Sequence, residues 1–120
     1  ADDDEGVRMV TALTLKTIGC AVEEVENGKQ LIERLSTAKP GEFGLIVTDI
    51  RMPKMDGIEA LTKIRANEQL KQLPVIVYSG TLDDELKKTI IGLGGLFLEK
   101  PFEIAKLIET AREALSKSTI

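Results

Sequence analysis

Short apolar runs alternate with amphipathic stretches along nearly the whole chain, and this alternation is the feature that most constrains its fold. Residues 45–48 and 75–78 are uninterrupted apolar or β-branched runs, as expected of strands buried on both faces. We also predict short strands at residues 21–25 and 96–98. Strands and helices that alternate in this way indicate an α/β protein, a parallel sheet with helices on both faces and right-handed crossovers.

Five helices are predicted between and around these runs. The expected spans are residues 6–18, about 28–35, 58–65, 81–93 and from 101 to about 115. Gly19 ends the first helix and Asn27-Gly28 opens the second. Thr81, with Asp84 three residues later, is typical of a capping box for the fourth. The first helix is expected to bury Val7, Val10, Leu13 (or Thr14) and Ile18.

Length and composition restrict the class of protein. The chain has 120 residues, which is one domain spanning 1–120. Its net charge is −4 without a cluster of lysines and arginines, so we expect no direct binding of nucleic acid by this segment. Cys20 is the only cysteine, which excludes an internal disulfide and favours a cytoplasmic location. No apolar run reaches the ~20 residues that a membrane span needs, and no signal peptide is present.

Polar residues stand where the predicted strands end. Asp49, Ser79 and Lys100 follow successive strands, while Asp2 and Asp3 precede the first helix. The carboxyl ends of parallel strands meet at one edge of a sheet, so these side chains should converge there. Three nearby carboxylates stay ionised together only beside a cation, and oxygen ligands without histidine or cysteine suit Mg²⁺. A metal, a lysine and an aspartate at one point favour phosphoryl transfer to the carboxylate.

Four motifs in this order resemble the receiver domain of two-component response regulators. They are Asp2-Asp3, Asp49 with Met52-Pro53-Lys54-Met55-Asp56-Gly57, Ser79-Gly80, and Lys100-Pro101-Phe102. The resemblance extends from Asp2 to about Leu115. It implies a doubly wound, flavodoxin-like sheet of five parallel strands in the order 2-1-3-4-5.

The resemblance also implies a role for each acidic residue. Asp49 would be the phosphoacceptor and would contact Mg²⁺. Asp3 would ligate the metal directly, and Asp2 would act mainly through water. The backbone carbonyl of Arg51 would supply a further ligand.

A second group would bind the phosphoryl group and transmit its presence. The Ser79 hydroxyl, with Gly80 beside it, and the Lys100 ammonium would contact phosphoryl oxygens. Ser79 and Phe97 would form the switch, with the Phe97 rotamer reporting activation. The peptide before Pro101 would be cis.

These expectations describe a signalling switch that a histidine kinase or phosphotransfer protein phosphorylates. Its chemistry would be limited to phosphorylation and dephosphorylation of its own aspartate, and phosphorylation could drive dimerisation. The output protein or domain is not identifiable from the sequence.

Two alternatives compete: a pseudo-receiver that is never phosphorylated and acts as an interaction module, and a Mg²⁺-dependent phosphohydrolase. The first is disfavoured because every pocket residue type is present. The second would need an acid–base carboxylate two residues after the nucleophile, or a cap that covers the substrate. It is disfavoured because position 51 is Arg and the chain is too short to include a cap.

One expected element is missing, because only Ala1 and an acidic cluster precede the first helix. The first strand of the 2-1-3-4-5 order is central and would lie between the other strands. We therefore expect an apolar strand of about five residues before Ala1 in the natural protein, a strand from another chain, or a rearranged fold. The first two cases predict a one-strand gap, empty or filled from elsewhere, between residues 21–25 and 45–49.

Overall fold

The computed structural model describes residues 1–100 and 104–117, apart from the side chain of residue 117. The helices are α1 (Glu5–Thr17), α2 (Gly28–Ser36), α3 (Gly57–Ala66), α4 (Asp84–Gly92) and α5 (Ile104–Lys117). The strands are β1 (Ile46–Asp49), β2 (Val75–Ser79) and β3 (Leu96–Glu99). The predicted cis peptide before Pro101 lies outside the described residues, as do Pro101 and Phe102. None of the described helices has the length and apolar character that crossing a membrane requires.

The three strands form a parallel sheet in the order β1-β2-β3. Helix α3 connects β1 to β2 and α4 connects β2 to β3, so the predicted alternation of strands and helices is confirmed from β1 to α5. Asp49 lies opposite Tyr78, and Ser79 lies opposite Glu99. The carboxyl ends of all three strands therefore reach the same edge, where the polar residues were expected to meet.

Ala1 and Asp2 bridge the position where a further strand would lie. The Asp2 N–H donates to the Val25 carbonyl (3.2 Å), and the Ala1 carbonyl accepts from the Asp49 N–H (2.9 Å). Residues 21–25 are not a strand in the structure, so that prediction is wrong. A strand needs a neighbour along its length, and Asp2 supplies residues 21–25 with one backbone bond.

Beyond Ala1 the expected one-strand gap is present. A groove of about 320 Å³ is lined by residues 20–24 and by residues 42–45 with Val47. Thr11, Leu15 and Tyr78 also line this groove. Its position matches the central strand of the predicted sheet, and the described residues supply only Ala1 and Asp2 there.

Side chains of β2 alternate between two core layers, because successive residues of a strand point to opposite faces. Val75 and Val77 pack with α2, α3 and α4, in a layer that includes Leu31 and Ile64. Ile76 and Tyr78 pack with α1 and α5. Every residue of β2 is buried, which explains its uninterrupted apolar sequence.

Side chains cap four of the helices at their amino ends. The cap residues are Asp4, Asn27, Asp56 and Asp83, and each accepts a hydrogen bond from a backbone N–H three residues later. The capping box expected at Thr81 is wrong, because Asp83 caps α4 by accepting from the Leu86 N–H at 2.8 Å. The second helix begins as predicted, after Asn27.

The buried face of α1 matches the predicted stripe only in part. Val7 and Ile18 pack against the core, and Thr14, the alternative to Leu13, is buried. Val10 and Leu13 are 51% and 65% exposed, so these two predictions are wrong. The buried residues of the helix are Thr11, Ala12, Thr14 and Leu15. The Thr14 hydroxyl donates to the Val10 carbonyl (2.8 Å), which satisfies its polar atom within the helix. A threonine bonded in this way can occupy an apolar face, and this explains why Thr14 is buried there and Leu13 is not.

Candidate functional site

Two carboxylates and one ammonium group meet at the carboxyl edge of the sheet. Asp49 ends β1 and is 7% exposed, while Asp2 is completely buried. The Lys100 Nζ lies 3.2 Å from Asp49 Oδ2 and 3.4 Å from Asp2 Oδ2. The Lys100 N–H donates to the Ser79 carbonyl (2.8 Å), which continues the pairing of β2 with β3 and fixes the start of the lysine side chain.

Asp3 completes an acidic trio. It is exposed, and one carboxylate oxygen from each of Asp2, Asp3 and Asp49 lies within 4.8 Å of the others. Three oxygen donors of this kind, without nitrogen or sulfur, suit a hard divalent cation such as Mg²⁺. A cation there would also offset the mutual repulsion of the three carboxylates, two of which pair with Lys100.

The two buried carboxylates have opposite pKa shifts. Burial raises the pKa of Asp49, and the charge of Asp2 adds to that effect, while Lys100 opposes it. Burial also acts to raise the pKa of Asp2. Hydrogen bonds from the Asp4 N–H and the Tyr78 hydroxyl, together with Lys100, outweigh burial and leave this pKa below its usual value. Asp2 is therefore the carboxylate that the fold holds more firmly in its charged form.

Tyr78 is a contributor that the sequence reasoning missed. Its hydroxyl donates to Asp2 Oδ2 at 2.7 Å, and its ring centroid lies 4.7 Å from the Lys100 Nζ. Burial and the adjacent Asp2 raise the pKa of Tyr78, so the hydroxyl stays a donor. The available signal was a phenol among aliphatic residues, since a buried tyrosine hydroxyl usually has a hydrogen-bond partner.

Ser79 and Gly80 end β2 at the same edge. Ser79 is 2% exposed, and its Oγ accepts the Thr81 N–H at 3.2 Å. Gly80 follows directly and is exposed. The register places Ser79 one residue beyond the Tyr78 that faces Asp49.

Phe97 lies in β3 opposite Val77 and is partly buried. It packs against the core layer of α2, α3 and α4. The Lys87 Nζ of α4 lies 5.5 Å from the ring centroid and 2.8 Å from Glu99 Oε1. The aromatic ring is therefore in contact with the helix that follows Ser79.

The loop after Asp49 folds back tightly beneath it. The Gly57 N–H donates to the Ile50 carbonyl at 2.8 Å, and a Cβ at position 57 would lie 2.2 Å from the Asp49 carbonyl oxygen. Only glycine permits this approach. Arg51 is exposed at the start of the loop, and the role of its carbonyl stays a prediction.

The fold and the pocket define a flavodoxin-like α/β protein with an acidic site at the carboxyl edge of its sheet. The chain belongs to the response regulator receiver domain family, whose sequence model matches residues 1–112. The transcriptional regulatory protein FixJ of Azorhizobium caulinodans is 36% identical over 118 residues, which are 98% of this chain and 54% of FixJ. The chain thus spans about half the length of that relative.

Smaller relatives match over most of their own length. Chemotaxis protein CheY-3 of Vibrio cholerae is 34% identical over 111 residues, covering 90% of this chain and 82% of CheY-3. The structure of V. cholerae chemotaxis protein CheY4 superimposes with a TM-score of 0.85 at 28% identity, covering 95% of this chain and 93% of that one. The resemblance to receiver domains of two-component systems and the predicted fold class are confirmed.

Proposed function

We propose that the domain accepts a phosphoryl group on Asp49 from a histidine kinase or phosphotransfer protein, with Mg²⁺ as cofactor. The observation that carries the proposal is the strand-end pair of Asp49 and Lys100, at 3.2 Å, beside the acidic trio. Asp2, Asp3, Asp49 and the Arg51 carbonyl would hold the metal. When bound, Mg²⁺ would supply positive charge to the oxygens of the transferring group.

The covalent step forms one bond and breaks another. An Asp49 carboxylate oxygen attacks phosphorus, the phosphorus–nitrogen bond of the donor phosphohistidine breaks, and its electron pair stays on the imidazole. Before phosphorylation, the Lys100 ammonium pairs with Asp49 Oδ2. After phosphorylation, it can pair with a phosphoryl oxygen. Ser79, with Gly80 next to it, would supply a hydroxyl donor to another of these oxygens.

The switch proposed for Ser79 and Phe97 acts on the side of β2, β3 and α4. Ser79 would move toward the phosphoryl group and leave space that the Phe97 ring can fill. Activation should then shift NMR signals mostly in residues 79–100, including Lys87 beside the Phe97 ring. A uniform pattern, or one confined to α1 and α2, would contradict this route.

The rest of the proposed function concerns the location, the catalysis and the output of the domain. The domain would act in the cytoplasm and catalyse only the phosphorylation and dephosphorylation of its own Asp49. Its phosphorylated form would change affinity for an output partner or for a second copy of itself. No contact with nucleic acid is proposed for this segment, because its net charge is −4.

Mass spectrometry after incubation with acetyl phosphate and Mg²⁺ tests the proposal. The parent protein should gain one phosphoryl group in a base-labile adduct, and Asp49→Asn should gain none. Glu68→Gln is the matched control, since Glu68 is a carboxylate that pairs with Lys71 at 2.8 Å. An unmodified parent would support the interaction-module alternative, and equal labelling of Asp49→Asn would overturn the choice of residue.

Removal of Asp3 tests the metal part separately. Asp3→Ala should weaken Mg²⁺ binding measured by calorimetry, because the exposed member of the trio is lost. Affinity equal to that of the parent would place the metal elsewhere.

A further inference from the structure

Tyr78 contacts both charged parts of the site. It is the only tyrosine of the chain and is 1% exposed. Its hydroxyl donates to Asp2 Oδ2 at 2.7 Å, and its ring centroid is 4.7 Å from the Lys100 Nζ. The side chain therefore connects a carboxylate of the acidic trio to the ammonium group that faces Asp49.

Packing fixes the tyrosine ring in place. It belongs to the core layer of α1 and α5 and packs in a cluster with Leu15, Leu98 and Leu107. An aliphatic side chain could fill the same layer, as Ile76 does two residues earlier on the same face. Packing therefore does not explain why this side chain carries a hydroxyl. A buried hydroxyl is unfavourable unless it has an acceptor, so the acceptor is the feature to consider.

The acceptor is a carboxylate whose orientation the phenol completes. Asp2 Oδ1 accepts the Asp4 N–H at 2.9 Å, and Oδ2 accepts the Tyr78 hydroxyl. Lys100 Nζ also donates to Oδ2, at 3.4 Å. Both oxygens of Asp2 thus have donors in fixed positions, and the remaining lone pairs have a defined direction. The face of the Tyr78 ring also makes a favourable cation–π contact with the Lys100 ammonium.

We propose that Tyr78 is a positioning residue of the metal and phosphoryl site: its hydroxyl holds Asp2, and its ring face holds Lys100. The inference rests on the proposed function for the use of the site. The two contacts also separate by substitution. Tyr78→Phe removes the hydroxyl and retains the ring, while Tyr78→Leu removes both.

Mg²⁺ affinity tests the hydroxyl, by calorimetry on the parent, Tyr78→Phe and the control Thr110→Val. Tyr78→Phe should weaken Mg²⁺ binding about 10-fold, the loss typical when a group that orients a metal ligand is removed. Thr110→Val removes another buried hydroxyl, which donates to the Lys106 carbonyl within α5, and should leave the affinity unchanged. Urea unfolding of all variants shows that each compared protein is folded.

Tyrosine fluorescence provides a signature that a purely structural role would not produce. The chain contains no tryptophan, so emission reports on Tyr78 alone. Saturation with Mg²⁺ should change the emission of the parent and of Thr110→Val. Constant emission in the parent during a titration that calorimetry shows to be saturating would overturn the proposal.

Phosphorylation by acetyl phosphate tests the ring at saturating Mg²⁺. The phosphorylation rate of Tyr78→Phe should then approach that of the parent. Tyr78→Leu should stay several-fold slower, because Lys100 has lost its cation–π contact with the ring. Parent-like Mg²⁺ affinity in Tyr78→Phe, or a parent that binds no Mg²⁺, would overturn the proposal. If the parent binds Mg²⁺ but accepts no phosphoryl group, the proposed function fails, and the affinity loss in Tyr78→Phe still decides the role of the hydroxyl.

Discussion

In a protein prepared as these 120 residues, the buried amino group of Ala1 should make stability depend on pH. This ammonium donates to the Val47 carbonyl at 2.6 Å. Burial lowers its pKa from 8.0 to about 6, although the charge of Asp2 opposes the shift. The folded protein therefore holds this proton less tightly than the unfolded chain does.

The sign and size follow from linkage. Between pH 6 and 8 the unfolded chain binds more protons at this group, so stability falls as pH falls through that window. A shift of two pKa units corresponds to about 2–3 kcal/mol, and the whole penalty applies below about pH 6. Acetylation of Ala1 replaces the ammonium with an amide N–H that can still donate to Val47 and does not titrate.

Urea unfolding of the acetylated and free-amine proteins across this range measures the effect. The acetylated protein should be more stable by about 2–3 kcal/mol near pH 5.5, and the ionisation part of the difference should vanish above pH 8. Titrations of Asp2 and Asp49 occur in both forms and largely cancel in the difference. Burial of the acetyl group in the groove adds an offset that does not vary with pH. A difference that is constant across the window would refute the reasoning.

Three further predictions concern the backbone around the site. Gly57→Ala should lower the free energy of unfolding in urea by about 1–3 kcal/mol, because the added Cβ would lie 2.2 Å from the Asp49 carbonyl oxygen. The control Gly92→Ala should cost nothing in the same assay, because its added Cβ would have no atom within 4 Å. Lys54→Gly should stabilise the protein by about 1 kcal/mol in the same assay, since Lys54 has a φ of 69°. Five apolar residues added before Ala1 should raise the midpoint of unfolding, because each fully buried side chain contributes ~1.5–3 kcal/mol. An added Gly/Ser segment of equal length should not, and equal effects would show that the groove takes no strand.

The placement of the charged site was predictable because it depends on one geometric rule. Parallel strands end at a common edge, so Asp49 and Lys100 had to be near each other once their strands were recognised. The 3.2 Å contact between them agrees with that reasoning. Strand recognition in turn depended on uninterrupted apolar runs, which are a strong signal when both faces of a sheet are covered.

Two features were not predictable from local pattern. The buried face of α1 contains Thr14, whose hydroxyl bonds within the helix, so hydropathy did not decide between Leu13 and Thr14 and wrongly included Val10. The role of Tyr78 depends on Asp2, which is 76 residues away in the chain. A residue that is both a core side chain and a donor to the site leaves only a weak mark in the sequence.

The gap in the sheet and the acidic site are parts of one structure. The Ala1 carbonyl accepts from the Asp49 N–H, and the Asp2 N–H donates to the Val25 carbonyl. These two bonds set where Asp2 stands relative to Asp49, while Tyr78 sets the orientation of its carboxylate. Tyr78 also lines the groove beyond Ala1, and its ring contacts the Lys100 ammonium. Backbone bonds at Ala1 therefore also help to position the oxygens available to a metal, because Asp2 is the next residue and its carboxylate is held by the Asp4 N–H and the Tyr78 hydroxyl.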